Sequence, residues 1–292
     1  MPNNNNQAVA RYEKRYRDML ATVFGVNAAF INALSPIQIL DGVQENTTAF
    51  SVKTNGTPVV MGEYSTDAND GGFGTGAGKS RFGELKEIKY TNTDVPYDYT
   101  LAIHEGIDRY TVNNNIEAAV ADRLKLNAEA QTRGMNKRIG KFLSTAAGKT
   151  EALTDMQEAT VRTLVNKIKA YYSNNEVIAP VTLYLRTELF NAIVDMTANT
   201  SAKGSSVSID ENGLAKYKGF ALVETPEQYF ESGDVAYFVP DGTIIPFVGI
   251  STARTVEAED FDGVKLQAAA KGGTYALEDN KKAIVKVTGT VV

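Results

Sequence analysis

The sequence predicts an α+β protein, and three observations carry that expectation. Apolar residues recur at three- and four-residue spacing from near Asn113 to about Thr145, enough for one helix of roughly 45 Å. The block from Thr154 to Val194 reads as helix, buried strand and short helix in turn. Beyond Phe220 come short apolar strands divided by turn signals such as Asp241-Gly242 and Asp262-Gly263, the punctuation of a β-rich segment.

Composition bounds the function. A chain of 292 residues with 43% hydrophobic and 22% charged content can bury a full core, as one large domain or two intimately packed ones. The net charge is −5 and uneven: residues 1–146 carry 16 basic and 16 acidic side chains, residues 147–292 carry 14 and 19. Neither half offers the basic footprint of a tight nucleic-acid binder. Cysteine is absent, which excludes disulfides, thiolate metal sites and a cysteine nucleophile. The start, Met1-Pro2-Asn3-Asn4-Asn5-Asn6, has no basic stretch leading into an apolar one. No apolar run approaches the roughly 18 residues that span a bilayer, so a chain folded in a cytosol, away from membranes, is expected. His104 is the single histidine. It lies in the alternating segment Leu101-Ala102-Ile103-His104-Glu105, where a strand or interface role is expected before a catalytic one.

Near the N-terminus, Val9, Tyr12, Tyr16, Met19, Leu20 and Val23 fall on one helical face. The other face is basic, with Arg11, Lys14, Arg15 and Arg17 against Glu13 and Asp18. Such a face is either solvated or an arm that meets a neighbouring subunit or packaged nucleic acid. From Thr47 to Asn114 strand-like pieces, Ala49–Val52, Thr57–Met61 and Leu85–Tyr90, flank a glycine-rich tip at Asp70–Ser80. Two strands and a tip with too little apolar surface for its own core make an extended hairpin. Long loops inside compact domains usually have a function, and here the expected one is reaching over another subunit. In the long helix, Ile116, Val120 and Leu124 and then Met135, Ile139, Phe142 and Leu143 form the apolar stripe, with acids early and bases late as the helix dipole favours. Thr154-Asp155-Met156-Gln157 reads as a capping box for the helix carrying Val161, Leu164, Val165 and Ile168. Val181–Leu185 reads as a buried strand, residues 198–213 as a polar surface loop, and Phe220–Glu224, Val235–Val239, Thr243–Val248 and Lys281–Val287 as strands.

The candidate chemical motifs fail on spacing. Gly74-Thr75-Gly76-Ala77-Gly78-Lys79-Ser80 resembles a phosphate loop, but the glycine required five positions before Gly78 is Phe73. Asp67-Ala68-Asn69-Asp70-Gly71-Gly72 approaches a calcium loop, yet Gly71 and Gly78 stand where oxygen ligands belong. Glu257, Glu259, Asp260 and Asp262 could pair as catalytic carboxylates, but they also suit a solvated turn. No enzyme activity, metal or cofactor is expected.

The order of basic arm, glycine-tipped hairpin, long helix, α/β segment and closing β-rich segment resembles the major capsid proteins of tailed bacteriophages, with the fold named after bacteriophage Hong Kong 97. Particularly alike are Val181–Val194, Tyr217-Lys218-Gly219-Phe220-Ala221-Leu222-Val223-Glu224-Thr225-Pro226 and Ala236-Tyr237-Phe238-Val239-Pro240-Asp241-Gly242, stretches that recur in siphophage capsid proteins. The resemblance implies an N-terminal arm (1–46), an extended loop and its base (47–113), a peripheral-domain spine helix (114–150), an axial domain (151–252) and a β-rich return to the peripheral domain (253–292). It implies self-assembly into hexamers and pentamers forming an icosahedral head around double-stranded DNA, bound without sequence specificity. Portal and head accessory proteins would be partners, with a separate scaffolding protein or none, since there is no room for a long scaffolding segment before the arm. The virion, assembled in the bacterial host cytoplasm, is the implied location. An encapsulin-like compartment packaging cargo enzymes is the alternative. Intersubunit contacts would involve Arg11, Lys14 and Arg15 of the arm and Gly74, Gly76, Lys79, Arg81 and Glu84 of the loop. Lys79 is the tip's lysine, but no motif identifies a crosslinking partner.

Overall fold

One helix serves two β-sheets. In the computed structural model α1 (Ile116–Ala146) packs its first half on a four-stranded sheet through Val120 and Leu124, and its second half on a seven-stranded sheet through Ile139 and Leu143. The structure describes residues 28–40, 48–57, 59, 61–64, 66, 81–82, 85–112, 116–196, 207–210 and 213–289. These fall into two units, residues 44–97 and the rest.

Elements of the larger unit follow in chain order: β1 (Gln38–Ile39), β4 (Tyr99–Asp108), α1, β5 (Lys149–Leu153), α2 (Glu158–Asn174), β6 (Val181–Leu185), α3 (Thr187–Val194), β7 (Val207–Asp210), β8 (Gly213–Tyr217), β9 (Phe220–Glu224), β10 (Asp234–Pro240), β11 (Ile245–Glu257), β12 (Gly263–Tyr275), the single turn α4 (Glu278–Lys281) and β13 (Val285–Gly289). The smaller unit holds β2 (Thr48–Thr54) and β3 (Thr91–Pro96).

The seven-stranded sheet runs β5-β13-β10-β6-β9-β8-β7. Its central strands β6 and β10 are buried at every residue, so both faces must be covered. Leu183, Phe238, Val285 and Val287 face α2 and α3, meeting Val161, Val165, Ile168, Leu189 and Ile193. Tyr184, Tyr237, Val239 and Ile284 face α1 and the segment around a 3-10 turn at Ile31–Ala33, whose Phe30 is fully buried. Each such side chain contributes about 1.5–3 kcal/mol by leaving water. The buried phenols keep partners: Tyr184 accepts from the Ala33 amide at 3.0 Å, and Tyr237 donates to Asp234 at 2.8 Å. Burial pushes both hydroxyls well above the ordinary tyrosine pKa, so they stay neutral.

The four-stranded sheet runs β1-β11-β12-β4. Ile107, Val264, Leu266, Ala253 and Ala268 line the face toward α1. Glu105 also faces the helix, where Arg123 grips it through two nitrogens at 2.7 and 2.5 Å and buried Asn127 donates at 3.1 Å. The Arg123 hydrogen bond, against an opposing push from burial, holds the Glu105 carboxyl below its ordinary pKa. A close approach fixes α1 on its other side: a Cβ added at Gly140 would lie 1.8 Å from the Tyr229 carbonyl oxygen. Only glycine allows the 3-10 turn at Glu227–Tyr229 to sit there.

Several expectations are corrected. Within the described residues Thr57–Met61 and Leu85–Tyr90 are irregular rather than strands; their alternation has no neighbouring strand to pair with. The helix after Thr154 starts at Glu158 with Gln157 as its cap, and Asp155, not Thr154, accepts the Gln157 amide at 2.9 Å. Part of the polar stretch 198–213 is strand, because β7 pairs with β8. The strand foreseen at Thr243–Val248 continues to Glu257, and its partner β12 was not foreseen. Lys281 ends α4, and the last strand begins only at Val285. That strand pairs in the seven-stranded sheet between β5 and β10, and β11 runs from Ile245 to Glu257. β4 pairs with β12 in the four-stranded sheet.

Gly140→Ala is expected to cost about 1–3 kcal/mol in urea unfolding, because backbone rather than a flexible side chain must move. Glu105, with its lowered pKa, contributes stability that is present above the ordinary carboxylate pKa and lost as pH falls through the lowered value. Denaturation of Glu105→Gln should therefore differ from wild type at pH 7 and converge with it in acid. Equal differences at both pH values would contradict this.

Candidate functional site

The smaller unit has little to bury and much apolar surface to present. Its root is the β2–β3 ladder, from Phe50 opposite Val95 to Thr54 opposite Thr91, with a bulge near Thr48. Thr, Val and Phe suit a pleated surface. Beyond Thr54 and before Thr91 the chain leaves the ladder. The two arms meet again where Tyr64 and Phe82 pack edge to face with ring centroids 5.1 Å apart, a geometry favoured by ring quadrupoles. Among the described residues the two arms are joined at this root and at this aromatic pair.

Along these arms the large side chains lie in water. Val59, Met61, Phe82 and Leu85 are each more than 80% exposed, and Tyr64, Ile88 and Tyr90 more than half. Singly exposed apolar residues are ordinary, but seven large ones along these arms are more than that rule accounts for. The charges beside them contribute little: the Lys89–Glu87 pair at 3.3 Å is three-quarters exposed.

Of the residues expected at intersubunit contacts, Arg11, Lys14, Arg15, Gly74, Gly76, Lys79 and Glu84 lie outside the described residues. So does the glycine-rich tip with its near phosphate and calcium motifs. Arg81 is described, half-buried beside exposed Phe82. The apolar residues of the arms were not foreseen as a site, since a strand reading assigns alternate apolar residues to a buried face. The available signal was the flanking glycine-rich tip, which cannot supply that burial.

His104 is exposed on β4 opposite Gln267. Glu257 ends β11, and Glu259, Asp260 and Asp262 occupy the turn between β11 and β12, where Asp260 pairs with Lys265 at 2.6 Å and Asp262 with Arg109 at 3.5 Å. The Lys265 hydrogen bond holds Asp260 below the usual carboxylate range, a charged and solvated state. Among the described residues no three His, Asp or Glu side chains are grouped to hold a metal ion, and no helix is long and apolar enough to cross a membrane.

No family model and no curated protein sequence matches the chain. Solved structures do. A structure from Mycobacterium phage Che8 has a TM-score of 0.56 at 15% identity, covering 82% of this chain and 83% of that one. The mature capsid of bacteriophage PhiM1 gives 0.62 at 10% identity, with 91% and 88% covered. A virus-like particle from Pyrococcus furiosus gives 0.56 at 13%, with 94% and 99% covered. The chain thus has the Hong Kong 97-like fold that its layout implied.

Met61→Ser and Leu85→Ser, alone or together, should leave the unfolding free energy within about 0.5 kcal/mol of wild type, since these side chains bury almost nothing in the single chain. Binding of a hydrophobic fluorescent dye to the unassembled protein should fall. A large loss of stability would mean that the arms are packed in the free subunit.

Proposed function

We propose that this chain is the major capsid protein of a tailed bacteriophage, a structural protein rather than an enzyme. Copies of it form hexamers and pentamers that close an icosahedral head around double-stranded DNA. The observation that carries the reading is the apolar hairpin on a fold shared with a phage mature capsid. Seven large side chains along the described arms are at least half exposed, and covering them would contribute on the order of 10 kcal/mol per hairpin, before the costs of association. A second copy is the natural cover, because every subunit in a shell offers the same hairpin and meets the same neighbours.

The remaining partners follow from that role: packaged DNA bound without sequence specificity, a portal, head accessory proteins and a separate scaffolding protein if one is used. The location is the virion, assembled in the host cytoplasm. A second reading has its own support, since the Pyrococcus furiosus virus-like particle covers nearly the whole of both chains. On that reading the shell is an encapsulin-like compartment and its content is a protein.

Electron microscopy of the purified product, alone or co-expressed with its neighbouring structural genes, should show closed shells or ring-shaped capsomers. A featureless monomer at high concentration would sink both readings. Particle contents separate them: phage DNA supports the capsid, and one enriched enzyme supports the compartment. Removing residues 59–88 should abolish closed particles, and normal particle yield from that deletion would show that the hairpin is not the contact.

A further inference from the structure

The turn between β8 and β9 breaks a local rule. Its central residues, Lys218 (φ 51°) and Gly219 (φ 92°), both take the left-handed conformation that a tight two-residue hairpin uses. The first of these places suits asparagine, aspartate or glycine, and an L-lysine there is disfavoured. Proteins tend to break local rules of this kind at functional positions.

Around Lys218 the fold gathers further positive charge. Arg162, Asn166 and Lys169 lie on one stripe of α2, spaced by four and three residues. Lys169 donates to the Lys218 carbonyl at 2.9 Å, and Lys218 donates to the Asn166 side-chain oxygen. The Lys218 ammonium also stands 5.6 Å from the centre of the Tyr217 ring. Burial first, and then Arg162 and Lys169, push the Lys218 pKa below its ordinary value. A carboxylate also stands at this corner: Glu158, 3.7 Å from Arg162. Each lysine ammonium carries three donors, and the two contacts named use one apiece.

We propose that this corner, formed by Arg162, Lys169 and Lys218, docks carboxylates of a second copy of this chain. The inference rests on the shell reading above and identifies one of its contacts. The turn itself needs no lysine, so its own geometry does not explain the charge. Complementary charge is available on every copy, since residues 147–292 carry 19 acidic against 14 basic side chains. Exposed carboxylates such as Glu176 and Glu259 belong to that surplus. A nucleic-acid face is less well matched, because it would need a basic stripe and this is a compact group of three cations on a chain of net charge −5. A contact joining different patches of two copies is also what closes a ring.

The test uses Lys218→Asn, which keeps a residue suited to the turn and removes the charge, together with Arg162→Gln. Thermal unfolding of both unassembled variants should match wild type or, for Lys218→Asn, exceed it. The threshold concentration for assembly by light scattering at low salt should rise roughly three- to tenfold, and the gap should narrow at high salt as charges are screened. Variants that assemble at the wild-type threshold would overturn the docking corner while leaving the shell reading intact. An unchanged threshold with loss of packaged DNA would assign the corner to nucleic acid instead. Wild type that never assembles would remove the shell reading itself.

Discussion

The architecture depends on α1 being continuous across two sheets. A helix of 31 residues spans about 46 Å, and its apolar stripe changes partner midway, from Leu266 near its start to Tyr237 and Ile284 near its end. Neither sheet is complete without it. The seven-stranded sheet needs a second covering layer because β6 and β10 are buried throughout. The four-stranded sheet has α1 on one face and, on β4, exposed Thr100, Ala102, His104 and Gly106 on the other. Gly140 and the Glu105–Arg123 pair set how closely the helix lies on its neighbours.

What was legible in the sequence follows from where the burial lies. Val181–Leu185 was readable as a strand because it is apolar without interruption, as a strand covered on both faces must be. The long helix was readable because Ile116, Val120, Leu124, Ile139 and Leu143 keep one stripe, although the stripe cannot reveal that its halves meet different sheets. β12 escaped because Gln267-Ala268-Ala269-Ala270-Lys271 has weak strand preference and is held by its neighbours on both sides. The opposite error fell at Thr57–Met61 and Leu85–Tyr90, whose alternation suggests a covered face that the single chain does not provide. Lys218-Gly219 was visible as a turn, but its charge gained meaning only when α2 placed Arg162 and Lys169 beside it.

The two units divide labour along the same line. The larger one largely satisfies itself: the phenols of Tyr172, Tyr184 and Tyr237 are bonded and its central strands are covered. The smaller one leaves its arms apolar and wet. A protein acting alone gains nothing from such surface and risks aggregation. A protein that completes itself with its own copies gains stability on assembly that the free subunit lacks.

The segment around Phe30 carries a consequence for biogenesis. Its pocket is made from Tyr184, Tyr237, Ile244 and Ile284, and its backbone bonds to Ile244 and Gly242, residues that leave the ribosome some 150 to 250 positions later. Contacts so distant in sequence form slowly, and none of them can form before the later partners have been synthesised. The segment around Phe30 is therefore seated after the strands that wall its pocket, even though it precedes them in the chain. Until Ile284 is in place the Phe30 pocket lacks one of its walls, so the order of synthesis itself sets when this side of the seven-stranded sheet can close.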